Sequence, residues 1–575
     1  MTLAFCDVPV AQETRAFGAL ALLIPLLQRL GIADLIDRHL PPDPQQHFSH
    51  GRVLSLLLAA RLSQPTALVN IASWAADTGA DVLWDIPAAS LNDDRLGRAL
   101  DAFFSQRHAI QASIAARTLE LAELSGQRLH FDPTHLTFYG AYASSQPRPH
   151  TTPWPPGNAT VPPAHITHGY AAAEKLINVG VTSVVDALGA VPLLGQCLDG
   201  NHNNHTAIQQ SCAWLFDQGL LTPGDLLISD RGTYSVEHVA RLYRHGCHVL
   251  CAAPWADYHA LYEEHAARLN WQLASFLSRE QQRRRDCGSS LPWEHYQLAV
   301  QRHTLTDPQT QQSIPCRVIF VYSSADAAIS LQARQRDIER LRTGLAAIAV
   351  SVRRGHPRTT QATLARRVTE LFGRRSAAQF FHWEMRPLTP AEQAALPPPE
   401  PGCRRPAYHF HFTFDAQAAE TAAAYDGLSV LVTTAPRTQS ADALFTQYKE
   451  QNYVELAHHQ WKTPLAVRPV FLKTPARVEA LVCLMQLALT AYQLLERFYR
   501  QSVPAGAAGS EQRFTAESLL RAFRGYGLLE GRSRYGRVLQ ATRLTERQQQ
   551  ILRQLGFPTP AQLLAHVLLP VPQTG

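Results

Sequence analysis

At 575 residues the chain exceeds what one hydrophobic core supports, because cores stop growing near about 250 to 300 residues, so three or four domains are expected. Hydrophobic residues make up 46%, which excludes a disordered chain, and charged residues only 17%, so any charge cluster carries information. The formal net charge of +6 is compatible with a polyanionic partner without demanding one.

The first residues, Met-Thr-Leu-Ala-Phe-Cys-Asp, lack the basic and apolar regions of a signal peptide. From 14 to 125 the apolar residues recur at helical spacing, notably over 19–30, over 53–62, and over 96–104 after the polar Asn92, Asp93 and Asp94. This predicts a helical N-terminal domain over 1–125. The period then changes. Short β-type runs at 128–131, 176–185, 191–198, 226–229 and 248–252, the later ones separated by helical stretches near 207–218 and 235–245, predict a mixed α/β sheet over 126–253. Cys247 and Cys251 in this region are the closest of nine cysteines, and no zinc-ribbon spacing occurs. Free thiols in a chain of this size point to a reducing cytosol, and the expected location is cytoplasmic, with the nucleoid.

Between 254 and 425 the pattern is irregular, with strand-like segments at 295–301, 317–322 and 408–414 around a helix near 326–347, and a further strand at 429–433 follows. A β-rich inserted domain is expected there. Two proline-rich stretches, 146–163 and 397–406, should be loops. Residues 426–501 resume the core with helices through Glu455 and over 477–500. The apolar run 478–495 is interrupted by Glu479, Gln486, Thr490 and Gln493, so it is read as a buried core helix and no membrane partner is expected. A Gly, Ala and Ser linker near 502–510 leads into a helical tail over 502–575.

Two aspartates sit at the ends of apolar strands: Asp132 after Arg128-Leu-His-Phe131, and Asp230 after Leu226-Leu-Ile-Ser229. Acids held rigidly at strand tips can ligate Mg²⁺, a hard ion that keeps several waters and leaves room for phosphate. The ordinary alternative is that each caps the turn that follows. A third carboxylate tips the balance. Glu455 lies on a predicted helix whose positions 448, 451, 455, 459 and 462 share a face, bringing together Tyr448, Gln451, Glu455, His459 and Lys462. Of the four lysines, Lys175, Lys449, Lys462 and Lys473, three flank this glutamate, every other basic residue apart from histidine being arginine. Three separated carboxylates are what a pair of magnesium ions needs for phosphodiester transfer.

With these residues in view, the chain resembles the DDE transposases of bacterial insertion sequences, in the superfamily (insertion-sequence family four type) named for a Y-(2)-R-(3)-E-(6)-K signature. Tyr448, Glu455 and Lys462 match it, and Gln451 departs from it. The block 131–140 (Phe-Asp-Pro-Thr-His-Leu-Thr-Phe-Tyr-Gly) resembles the first-aspartate block, 226–232 the second, and 426–462 the glutamate block, while 92–101 resembles an N-terminal segment of such proteins. The resemblance implies an RNase H-like mixed sheet interrupted by the β-rich insertion. It also implies two Mg²⁺ ions, with Mn²⁺ able to substitute, held by Asp132, Asp230 and Glu455. Tyr448 and Lys462 would contact element-end DNA, and the partners would be the element ends, target DNA and a second copy of the chain. Gln451 can donate to phosphate but lacks the charged fork of Arg, and Lys449 or Lys473 would compensate. An RNase H-fold nuclease that does not join ends, and a transposase-derived DNA-binding protein without activity, stand as alternatives.

Fainter signals are His202 and His205, read as a polar turn in preference to a metal site, and the arginine clusters 283–285 and 353–375, either a phosphate track or a solvated face. Trp255, Trp271, Trp293 and Trp383 are expected in the core unless one stacks on an unpaired base.

Overall fold

The computed structural model describes residues 13–148, 161–169, 174–288, 294–355, 360–399, 401, 403–463, 465, 472–503, 514–533 and 536–565. Trp293, the expected linker beyond 503, most of the loop expected over 146–163 and two positions of the proline-rich stretch 397–406 lie outside them.

After a short strand β1 (Glu13–Arg15) come α1 (Leu20–Leu30), α2 (Ile32–His39), α3 (His50–Ser63), α4 (Ile71–Thr78), α5 (Ala80–Leu83) and α6 (Asp93–Leu121). Local chemistry sets their ends. Gly31, at φ +65°, closes α1 by donating its N–H to the Gln28 and Leu27 carbonyls, a left-handed cap that favours glycine. Ser49 and Asn92 accept from the Arg52 and Arg95 amides to start α3 and α6. At Gly51 a Cβ would lie 2.1 Å from the Ala33 carbonyl oxygen, so α2 and α3 approach closely only because this residue has no side chain.

The remaining strands are β2 (Arg128–Phe138), β3 (Thr167–His168), β4 (Lys175–Asp186), β5 (Gly189–Leu198), β6 (Leu226–Ser229), β7 (His248–Ala253), β8 (Gln272–Leu273), β9 (Tyr296–Thr306), β10 (Ser313–Ser323), β11 (Phe381–Pro387), β12 (Tyr408–Phe414), β13 (Leu428–Thr433), β14 (Leu528–Ser533) and β15 (Gly536–Ala541). Ten of the strands form one mixed sheet in the order β3-β4-β2-β6-β7-β13-β10-β9-β8, with β5 also on β4. Only β2, β6 and β7 run parallel to one another; the other pairs are antiparallel. Parallel neighbours need a crossover. α7 (Asn204–Asp217) precedes β6, and α8 (Val236–Arg244) joins β6 to β7. Together with α9 (Trp255–His265) they cover one face of the sheet through Ile208, Trp214, Val239, Leu242 and Tyr258.

His238 on α8 is fully buried and neither ring nitrogen has a hydrogen-bond partner. Burial first, then the Arg241 charge, hold its imidazole down at about 3. The ring is neutral in the fold and gains a proton near its ordinary value of 6.5 only on unfolding. Its contribution to stability is therefore complete above that value and is lost as pH falls below it. Between pH 7 and pH 5 this one group should lower stability by about 2 kcal/mol. Urea unfolding at the two pH values, compared with His238→Leu, should show the variant losing less stability by that amount.

The expected inserted domain divides in two. After α10 (Arg279–Asp286), β9 and β10 extend the central sheet instead of leaving it, and Tyr322 of β10 pairs with Leu428 of β13. Between those adjacent points the chain makes an excursion containing α11 (Ser324–Arg353), α12 (Gln361–Phe372), α13 (Pro390–Ala395), α14 (Ala416–Ala423) and the ribbon β11–β12. It has a core of its own around Leu341, Leu345, Ile348, Leu364, Val368, Phe380 and Phe381. The excursion is thus mainly helical. Trp383 lies over Phe410 there, and Trp255 and Trp271 pack against the core of the central sheet, so these tryptophans have internal partners.

On the opposite face of the sheet lie α15 (Ala441–Lys449), α16 (Gln451–Lys462) and α17 (Pro475–Ser502), followed by α18 (Ala516–Ala522), α19 (Glu546–Leu555) and α20 (Pro560–Ala565). α17 is long and apolar enough to cross a bilayer, yet the whole of its most apolar window is buried in the protein, against α6, α3 and β5. A helix that is apolar all round is a core helix when protein surrounds it. The tail, expected to be helical throughout, contains the hairpin β14–β15, and β1 pairs with β14 through Glu13 and Glu530. N-terminal helices, α17 and the tail share one core, from Phe17 through Leu100 and Leu484 to Phe523 and Leu528.

Candidate active site

Asp132 and Asp230 are brought together by strand pairing. Phe131 of β2 stands beside Ser229 of β6 in the parallel register, so the residue after each lies at the point where that pairing stops. β2 is longer than expected: it continues past Asp132 to Phe138 on β4 alone, so Asp132 lies within a strand and not at its tip. Pro133, which has no N–H to donate, follows at the point where β6 falls away. Alternation along the strands puts Asp132 on the face of His130, and Asp230 on the face of Leu226 and Ile228, which is the face covered by α15.

The electrostatics record their closeness. Burial first, then the Asp132 charge, push the Asp230 carboxyl above its ordinary value, against the Gly232 and Thr233 hydrogen bonds that lower it. One oxygen of Asp230, Oδ1, is buried without a hydrogen-bond partner. Tyr448, half-buried on α15, feels the charges of both Asp230 and Glu455. Burial first, then the Asp230 charge, raise its phenol above the ordinary range, so its O–H stays a neutral donor.

The five-residue face expected on one helix is broken. α15 ends at Lys449 and α16 begins at Gln451, with Glu450 between them. Tyr448 therefore stands on one helix, and Gln451, Glu455, His459 and Lys462 on the next. Gln451 points inward instead of toward phosphate: it is 8% exposed, its Oε1 accepts from His130 Nδ1 at 2.8 Å, and its Nε2 donates to the Phe131 carbonyl at 3.4 Å. Burial lowers the His130 imidazole to about 4, so it is neutral and Nδ1 carries the proton that Gln451 accepts. Lys449 also turns inward. Its Nζ lies 4.6 Å from the Tyr296 ring centre and 5.5 Å from that of Phe445, and burial lowers its pKa, so this lysine is committed to an aromatic niche and not to DNA. Glu455, His459 and Lys473 are exposed and Lys462 is half-buried.

His458 is the residue that the spacing argument missed. It is 7% exposed, and its Nδ1 lies 3.2 Å from Asp132 Oδ2. Positions 451, 455 and 458 follow the i, i+4, i+7 rule as well as 451, 455 and 459 do, so the signal was present but ambiguous. His202 precedes α7, its backbone N–H bonded to the Asp199 carbonyl, whereas His205 stands in the first turn of α7, which Asn203 caps, so the two do not share one polar turn.

Among the described residues no group of three or more His, Cys, Asp or Glu side chains lies close enough to hold a metal ion. The two aspartates nonetheless fit a hard cation: both are oxygen donors, one raises the pKa of the other, and Asp230 has an orphaned buried oxygen. Glu455 completes no such set in this conformation. It projects from the rim of α16, one turn from both Gln451 and His458.

Residues 12–116 match a family described as a domain of unknown function (DUF4277). No curated protein matches the chain. Among solved structures, a cryo-EM structure of the piggyBac transposase synaptic complex with hairpin DNA aligns with a TM-score of 0.33 and 9% identity, over 96% of this chain and 88% of that one.

Proposed function

We propose that this chain is a DDE transposase of a bacterial insertion sequence, cutting DNA at element ends and joining them to a target. The observation that carries the reading is the pair of aspartates on adjoining parallel strands, beneath a helix pair bearing Tyr448 and Glu455. The strand order β5-β4-β2-β6-β7, with only the last three parallel, supports an RNase H-like core. Asp132, Asp230 and Glu455 would hold Mg²⁺, or Mn²⁺ in its place. Divalent ions held there supply activation of the attacking oxygen and stabilisation of the leaving oxygen in phosphodiester transfer. Asp132 and Asp230 hold their charges on a rigid sheet, α16 carries Glu455, which would close on them when an element end is bound, and Tyr448 would offer an uncharged O–H donor near Asp230. Lys462 and Lys473, near the end of α16 and just beyond it, would bind the phosphates of the element end. Two ends and a target require at least two copies of the chain, acting in the cytoplasm on the nucleoid.

The test uses duplexes copied from the DNA flanking the coding region, precut at their 3′ ends, incubated with the protein, Mg²⁺ and a supercoiled plasmid. A transposase joins the duplexes covalently to the plasmid. Nicked plasmid without joined product would instead identify a nuclease, and retarded duplex without either product a binding protein.

A further inference from the structure

We propose that the far end of the excursion between β10 and β13 is a landing surface for the phosphate backbone of duplex DNA, carried by Arg353, Arg354, Arg404 and Arg405. This rests on the reading of the chain as a protein that cuts and joins DNA, and not on how any metal ion is held. Residues 324–427 contain 14 arginines, no lysine and ten acids, so this one segment holds +4 of the formal +6. The excess gathers at one place. α11 ends at Arg353, and the Arg404 amide donates to the Arg354 carbonyl at 3.0 Å. A Cβ on Gly355 would lie 2.1 Å from the Arg404 carbonyl oxygen, so the segment before β12 presses directly on the end of α11. Two pairs of consecutive arginines, distant in sequence, are thereby brought side by side. All four are exposed, and among the described residues none has an ion-pair partner; Arg405 donates to the Gln393 carbonyl. The acids of the excursion that form ion pairs do so with other arginines: Asp337 with Arg375, Glu370 with Arg366, Glu392 with Arg386 and Asp426 with Arg334.

A helix C-terminus attracts cations, but it carries only about half a negative charge, which one arginine balances. Four together repel one another and call for an anion from outside. Phosphate fits, because each guanidinium presents a fixed fork of donors to a pair of phosphate oxygens. The solvent side of α11 continues the track. Positions 336, 340 and 354 fall on one line, opposite the buried Leu341, Leu345, Ile348 and Val352. That line carries the exposed Arg336, Arg340 and Arg354 and rises about 27 Å along the axis. Strand pairing gives the track its relation to the site. Ser229 of β6 stands beside Cys251 of β7, Ala253 beside Val430 of β13, and Leu428 beside Tyr322 of β10, so the excursion leaves the sheet at the edge where Asp230 stands. The far end of the 30-residue α11 lies about 45 Å from that departure, the length of about 13 base pairs. A duplex entering at Asp230 and lying along α11 meets the four arginines there, which set its direction without reading its sequence.

The experiment measures binding of the full chain to labelled duplexes of about 30 base pairs by fluorescence anisotropy, across about 50 to 200 mM salt. One duplex is copied from the DNA flanking the coding region and the other has an unrelated sequence. Wild type is compared with Arg354→Gln joined to Arg404→Gln, with the same two positions changed to Lys, and with Arg98→Gln joined to Arg521→Gln, which removes two exposed arginines from other surfaces. The glutamine variant should bind both duplexes about 10-fold more weakly at about 0.1 M salt, with the slope of log affinity against log salt shallower by about 2. The lysine variant keeps the charges and should keep most of the affinity. That pattern, with the control close to wild type, supports the landing surface. If the glutamine variant matches wild type in affinity and slope, or the control weakens as much, the surface is refuted while the transposase reading stands. A lysine variant as weak as the glutamine variant, with a lowered urea midpoint, also refutes it, because the arginines then serve the fold. Weakening confined to the flanking duplex would make them base readers and refute a backbone landing. If wild type binds neither duplex at any salt, the reading of the chain as a DNA-processing protein falls with the surface.

Discussion

Asp230→Asn is expected to lower the rate of strand cleavage at an element end by on the order of 10³-fold, about 4 kcal/mol in the barrier, with folding undisturbed. The side chain keeps its shape, and the Gly232 and Thr233 contacts that it accepts can still be accepted by the amide oxygen. What disappears is the negative charge. In the protein without metal that charge is unfavourable: burial and the neighbouring Asp132 already push the carboxyl up, and Oδ1 has no partner. Removing it should therefore raise the urea midpoint slightly in the presence of a chelator while the rate collapses. A gain in stability together with a loss of activity marks a residue kept for chemistry and not for the fold. Equal loss of both in a gel-based cleavage assay and an unfolding titration would make Asp230 a structural cap instead.

Glu479→Ala should destabilise the protein by about 3–5 kcal/mol, the largest expected effect away from the site. The carboxylate, with 2% of its side chain exposed, is bound by Arg107 Nε at 2.6 Å and Arg148 Nη2 at 2.7 Å, and it also accepts from the Ala164 amide at 2.6 Å. Through it α17 is joined to α6 and to the backbone before β3. Alanine would strand two arginines, of which Arg107 has 3% of its side chain exposed. The exposed pair Arg521–Glu517 provides the contrast, with 62% and 53% side-chain exposure. There Glu517→Ala should change stability by less than about 1 kcal/mol. Urea unfolding followed by tryptophan fluorescence compares the two. Similar midpoints for both variants would show that the buried triad contributes no more than a surface pair.

Much of this architecture was legible because the runs leading to Asp132 and Asp230 are short, apolar and punctuated, and because α17 is apolar over most of its length. The alternation of β2 beyond Pro133 was obscured by Pro133 and His135, so its full length emerged only from its pairing with β4. The tail hairpin depends partly on β1, whose Arg15 bonds Glu530 across a separation of 515 residues, which no local pattern records. At the site, the identities of the polar residues were readable but their directions were not. The break at Glu450 separates Tyr448 from the residues of α16, so a face drawn across one continuous helix chose His459 where the fold uses His458. Lys449 illustrates the same limit: a lysine beside a glutamate suggests phosphate until its ammonium is found over two aromatic rings.

The central claim is that Glu455, exposed on the rim of α16, joins Asp132 and Asp230 in holding divalent ions when an element end is bound. Counting Mn²⁺ bound per chain by electron paramagnetic resonance, with end DNA present, for wild type and Glu455→Gln tests it directly. Wild type should bind a pair of ions, and Glu455→Gln at least one fewer, or one bound far more weakly. The same number of ions bound with the same affinity in both proteins would contradict it.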